Sequence, residues 1–165
     1  MQIRHDSGMT SRSASRAAAA PGKPKFIDDY LSYLLSRAAH GVYEDFHATV
    51  RAAGLSSLEW RVLATLSDGD GLTVGDLARE VLSEQSTLTK LLQRMEKASW
   101  VLRAADPLDA RRTLVFETPQ GKSVVADLLG KAKAHEANLL SSFKAADVSA
   151  LKKMLRVLIA HRQAD

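Results

Sequence analysis

The stretch from residue 83 to residue 122 constrains this chain more than any other. It opens Ser-Glu-Gln-Ser-Thr-Leu-Thr-Lys-Leu-Leu-Gln-Arg-Met-Glu-Lys and runs through Trp100 to Ala105. Asp106-Pro107-Leu108-Asp109-Ala110-Arg111-Arg112 follows, then Thr113 to Thr118 and Pro119-Gln120-Gly121-Lys122. Leu88, Leu91, Leu92 and Met95 recur at helical spacing, which predicts a helix from Ser83 with one buried face. Residues 101 to 104 and 113 to 117 read as two short strands. The Asp, Pro and Arg residues between them suit an exposed hairpin tip. Pro119 is placed as the first residue of a new helix. A polar-faced helix followed by a basic hairpin points to a winged helix-turn-helix, an architecture suited to duplex DNA.

The flanking sequence completes that reading. A long helix is expected from Phe26 to about Ala53, with Leu31, Leu34, Leu35, Ala38, Val42, Phe46 and Val50 as its apolar stripe and Gly54 just past its end. Ser56 or Ser57 caps a second helix carrying Leu58, Val62, Leu63 and Leu66, with Glu59 in its first turn. Asp68-Gly69-Asp70-Gly71 is a turn. Thr73 caps a third helix near the capping-box spacing to Asp76. Beyond the hairpin, a helix runs from Pro119 to about Phe143, and a last one from Ala146 or Asp147 to about Arg162. The expected fold is therefore mainly α with a small β-hairpin wing. A winged helix-turn-helix lobe (55–118) would be flanked by a dimerisation lobe built from 26–53 and 119–163. The long terminal helices carry more apolar surface than one small lobe can cover, which implies a second copy and a homodimer.

Charge sharpens the argument once it is located. The formal charge of +4 comes from residues 1–25, where Arg4, Arg12, Arg16, Lys23 and Lys25 face Asp6 alone; the rest of the chain balances to zero. Residues 1–24 show no periodic pattern and read as a disordered basic tail ahead of a single domain, 25–165. Within the body, residues 86–112 hold six basic side chains (Lys90, Arg94, Lys97, Arg103, Arg111, Arg112) against three acidic ones (Glu96, Asp106, Asp109). That local excess favours a phosphate partner. The chain has no cysteine, which removes disulfides and thiolate metal sites. It has no apolar run of membrane-spanning length and no secretory signal, so a cytoplasmic, membrane-free protein is expected. It also has no glycine-rich phosphate loop and no nucleophile signature, so an enzyme is not expected.

The candidate DNA-contacting residues follow from the second helix of the helix-turn-helix pair, whose N-terminal side chains reach base edges. They are Gln85, Ser86, Thr87, Thr89, Lys90 and Arg94, joined by Arg111 and Arg112 of the hairpin. Lys90 and Arg94 are four apart and share a face, so they can meet guanine edges or phosphate. A hairpin arginine suits a narrow minor groove.

At this point the sequence resembles the MarR family of bacterial transcription regulators. Gly54-Leu55-Ser56-Ser57-Leu58-Glu59-Trp60-Arg61-Val62-Leu63 resembles the opening of that family's DNA-binding lobe, and Leu72-Thr73-Val74-Gly75-Asp76-Leu77-Ala78 its third helix. Residues 86–97 resemble its recognition helix. Asp109-Ala110-Arg111-Arg112-Thr113-Leu114-Val115 and Thr118-Pro119-Gln120-Gly121 resemble its wing and the start of helix five. The resemblance implies a homodimeric repressor of pseudo-palindromic sites that often releases DNA when a small ligand binds. It also implies that Asp109 and Arg111 brace the wing. Ser99 stands where the family usually has glycine, and Glu117 where it usually has an aliphatic residue.

A second face of the first helix is a candidate sensor. Tyr33, Arg37, His40, Glu44 and His47 align at helical spacing. With Tyr43 and Trp60, they suit a small aromatic carboxylate effector, Arg37 resembling an arginine often found in the family's ligand pocket. Intersubunit hydrogen bonds are the plainer alternative. A metal-responsive reading, with His40, Glu44 and His47 as ligands and His135 or His161 as a fourth, lacks a fixed geometry, so no metal site and no cofactor are assigned. A helical homodimeric interaction protein that binds no DNA is the remaining rival.

Overall fold

The computed structural model describes residues 25–69, 71–107, 109 and 111–163, with backbone only for 162 and 163. The basic tail, Asp70, Leu108, Ala110 and the Arg162 side chain lie outside the described residues. The chain divides into two compact units, residues 1–40 and 41–165. In the first, helix α1 (Phe26–Asp29) ends at Tyr30, whose extended backbone (φ −77°, ψ 110°) separates it from α2 (Leu31–Ala52). The single long helix expected from Phe26 is thus broken. No glycine or proline marks the break, and the apolar spacing runs straight across it.

The second unit holds the rest of α2, then α3 (Ser57–Leu66), strand β1 (Leu72–Thr73), α4 (Val74–Glu80) and α5 (Gln85–Lys97). After these come β2 (Val101–Ala105), β3 (Thr113–Glu117), α6 (Pro119–Leu139) and α7 (Ala145–Gln163). The sheet order is β1-β3-β2, all antiparallel, with Leu72 opposite Val115 and Val101 opposite Glu117. The first of these strands is absent from the sequence reading, because two residues cannot display a period. The core gathers Val62, Leu63 and Leu66 of α3 and Leu77 of α4 with Leu88, Leu91, Leu92 and Met95 of α5. Val115 of β3 and Val125 and Leu128 of α6 close it.

Helix ends follow from local chemistry. Ser56, not Ser57, caps α3: its Oγ accepts from Glu59 N, and Ser56 N–H donates to Glu59 Oε2 at 2.8 Å. Thr73 caps α4 and Thr118 caps α6. Gly54 (φ +79°) closes α2, with Leu55 N–H donating to the Val50 carbonyl at 3.3 Å. The same closure occurs twice without glycine. Leu82 (φ +51°) ends α4, and Ser83 N–H donates to the Ala78 carbonyl at 2.9 Å. Ser83 therefore belongs to the end of α4, and α5 begins at Gln85 rather than at Ser83. Ser99 (φ +60°) ends α5, and Trp100 N–H donates to the Met95 carbonyl at 2.9 Å. A left-handed non-glycine residue costs about 1–2 kcal/mol, so Ser99, where the family usually has glycine, carries strain. Further on, α6 stops at Leu139 rather than Phe143, with the Ser141 hydroxyl donating to the Asn138 carbonyl at 2.7 Å.

Candidate nucleic-acid interface

Helix α5 buries Leu88, Leu91, Leu92 and Met95 and exposes Gln85, Ser86, Thr87, Lys90, Gln93, Arg94 and Lys97. Thr89 is half-buried, and its hydroxyl donates to the Gln85 carbonyl at 2.8 Å. The start of the helix is open. Glu84 occupies the cap position in an extended conformation and makes no side-chain bond to the first-turn amides. Those amides and the positive end of the helix dipole face outward, the setting that attracts a phosphate oxygen.

Pairing decides which cations remain available. Arg103 of β2 is committed to Glu96 of α5 at 2.5 Å, and that carboxylate raises the Arg103 pKa further. At the wing, the Asp109 side chain accepts from the Arg111 backbone N–H at 3.0 Å, which fixes the turn. Arg112 lies near Asp106 and Asp76. Lys90, Arg94, Lys97 and Arg111 have no acidic partner among the described residues. The Asp109–Arg111 bond joins the two residues that the family resemblance assigns to the wing brace, while the Arg112 guanidinium lies nearer Asp106 and Asp76.

The expected effector residues divide between the two units. In the first, the Arg37 guanidinium lies 5.8 Å from the centre of the Tyr33 ring, and His40 is exposed. In the second, the Tyr43 and His47 rings stack at 5.0 Å; Tyr43 O–H donates to Ser57 Oγ, which lies 2.8 Å from His47 Nδ1. Trp60 meets Phe46, whose ring also contacts His135 at 5.4 Å. An open groove of about 820 Å³ between α2 and α6 is lined by Phe46, Thr49, Lys131 and His135 among others, and by none of the expected effector residues. Among the described residues no three His, Asp or Glu side chains gather as a metal site, and no helix is long and apolar enough to cross a membrane. Sequence reasoning missed Ser57. As a candidate helix cap it had a complete explanation already, and only the folded contact frees it for His47.

One buried group stands out beside the wing. Both Glu117 carboxylate oxygens are buried without a hydrogen-bond partner among the described residues. Desolvation raises the Glu117 pKa above its ordinary 4.5, with Lys122 partly opposing. A raised acid pKa in the folded state gives stability that is present below pH 4.5 and is lost as pH rises through the folded value. Glu117→Gln, which removes the desolvated charge, should therefore be more stable than wild type at pH 7. That advantage should shrink as pH falls towards about 4 in urea denaturation; equal stability at neutral pH would contradict it.

Comparison with known proteins adds three findings. A model of the MarR family matches residues 53–112. The transcriptional activatory protein BadR of Rhodopseudomonas palustris (strain ATCC BAA-98 / CGA009) is 33% identical over 133 residues, covering 78% of this chain and 76% of BadR. Among solved structures, the MarR family transcriptional regulator SPO1453 from Silicibacter pomeroyi DSS-3 has 37% identity and a TM-score of 0.73, over 83% of this chain and 98% of that one. The transcriptional repressor CouR, solved on a 23-mer DNA duplex, has 25% identity and a TM-score of 0.66, over 81% and 94%.

Proposed function

The chain belongs to the MarR family of transcriptional regulators, and from that membership we propose that it binds duplex DNA as a homodimer through α5 and the wing and is released by a small aromatic acid. The observation that carries the DNA reading is the distribution of free charge. Within the winged lobe Arg79, Arg103 and Arg112 lie within ion-pair distance of carboxylates, whereas Lys90, Arg94, Lys97 and Arg111, on the recognition helix and the hairpin, have no acidic partner among the described residues. Gln85, Ser86, Thr87 and Thr89 surround the open start of α5. These short polar side chains allow close approach to base edges. The CouR complex supports the same use of the fold in a relative.

The homodimer is supported by apolar surface. Leu31 and Leu34 are exposed in the first unit, and Leu151, Met154 and Ile159 in the second. A second copy would cover them. Two recognition helices related by a two-fold axis would then read half-sites about 10 bp apart. Selection from a random duplex library tests the reading. Enriched sequences should carry paired half-sites at that spacing, and Arg94→Ala should lose about 1–3 kcal/mol and relax preference at one position. Absence of enrichment, or undiminished affinity in the variant, would overturn it.

The effector reading draws, in the first unit, on Arg37 for a carboxylate beside the Tyr33 ring, with His40 exposed on the same helix, and, in the second unit by itself, on the aromatic and hydroxyl groups of Tyr43, His47 and Trp60. A ligand that prefers a conformation misfitting DNA shifts the population away from the bound state by its differential affinity. A thermal-shift screen with small aromatic acids should reveal stabilising compounds whose effect is lost in Arg37→Ala. Stabilisation that persists in the variant would move the pocket elsewhere.

A further inference from the structure

Two adjacent wing arginines sit in different surroundings. Arg112 Nε lies 3.8 Å from Asp106 Oδ2 in the hairpin, and Arg112 Nη2 lies 3.9 Å from Asp76 Oδ2 in α4. The Asp106 side chain is only 10% exposed. Asp76 is itself fixed: Thr73 Oγ1 donates to its Oδ2 at 2.5 Å, and Arg79 pairs with its Oδ1. The hairpin backbone closes around the same point. Asp106 N–H donates to the Arg112 carbonyl at 2.9 Å, and Arg112 N–H to the Asp109 carbonyl at 2.9 Å. Arg111 is exposed, and its side chain has no partner among the described residues.

We propose that Arg112 is a positioning residue: it ties the wing to α4 through Asp106 and Asp76 and so aims Arg111 at the duplex, making no DNA contact itself. This rests on the DNA-binding reading above. The base of the hairpin is held by the pairing of Leu72 with Val115 and Thr73 with Leu114. Beyond Thr113 the ladder has ended, and the tip needs another restraint. The Arg112 guanidinium lies 3.8 and 3.9 Å from two carboxylates, whose negative charge offsets its attraction for a phosphate. A carboxylate near DNA also repels phosphate, so by charge alone the removal of Asp76 should strengthen binding. The brace predicts the opposite sign.

The test compares affinities for the selected duplex. Arg112→Ala should weaken binding about three- to fivefold. In an Arg111→Ala background that loss should vanish, because the brace acts through Arg111. Asp76→Asn keeps the side-chain size and should weaken binding too. Losses of Arg111→Ala and Arg112→Ala that multiply independently, or tighter binding by Asp76→Asn, would overturn the proposal. A second readout needs no DNA. In the free protein, Arg112→Ala should speed amide exchange at Asp106 about tenfold, and unchanged exchange there would overturn the brace. Failure of every variant to bind any duplex would sink the DNA reading instead, and the exchange rates would still decide whether the brace exists.

Discussion

Gly121→Ala is expected to destabilise the protein by about 3 kcal/mol or more, the upper range for forcing a methyl group into packed structure. A Cβ at Gly121 would sit 2.2 Å from the Trp100 carbonyl oxygen and 3.0 Å from Glu117 Cγ. That carbonyl cannot easily withdraw, since it accepts from Thr118 N–H at 3.0 Å and from the Thr118 hydroxyl at 3.2 Å. The close approach seats the first turn of α6 on the start of β2, so the clash falls where the winged lobe hands over to the helix beyond it. Gly130, in the same helix, is different: a Cβ added there would meet nothing within 4 Å. The helix propensity of alanine then acts alone, and Gly130→Ala should stabilise by about 1 kcal/mol. Equilibrium denaturation of the two variants should move in opposite directions. A loss below about 1 kcal/mol for Gly121→Ala would show that the joint yields.

The double variant Arg94→Ala with Arg111→Ala is expected to lower affinity for the selected duplex by about 2–6 kcal/mol, the summed range for two separate contacts. The two residues lie on different elements, α5 and the hairpin, and share no partner among the described residues, so their effects should add. Both are exposed, so the melting temperature should stay near that of wild type. The salt dependence should also flatten by nearly one unit of slope for each contact made to phosphate. An unaltered affinity would mean that the free cations of this face meet something other than DNA.

Much of the DNA-binding lobe was legible because local signals and the tertiary core agreed. The stripe Leu88, Leu91, Leu92 and Met95 is buried as its period requires, and Thr73 sits at the helix start its spacing to Asp76 suggested. The β3 strand also falls on 113–117 as read. Elsewhere the determining contact lies far along the chain. Arg111 and Arg112 are adjacent basic residues in the sequence; only the folded contacts of Arg112 with Asp106 in the hairpin and Asp76 on α4 set them apart. Ser57 pairs with His47 only after α2 and α3 meet. The apolar residues Leu31, Leu34, Leu35 and Val42 did mark one face of a helix, yet they are exposed in the single chain, while Val50 reaches the core and Phe46 packs against it. Periodicity reports that a face is apolar and leaves open which molecule covers it. Glu117 was recognisable as out of place, though the loss of both its hydrogen-bonding oxygens to the interior was visible only in the fold.

The vacant cap at Glu84 has a consequence for how this regulator can change over generations. A serine, aspartate or asparagine there would satisfy the first amides of α5 and make the unbound protein sturdier. The same side chain would occupy the amides that a phosphate would otherwise engage. If operator phosphate engages those amides, durability of the free molecule and grip on DNA are set against each other at this one position.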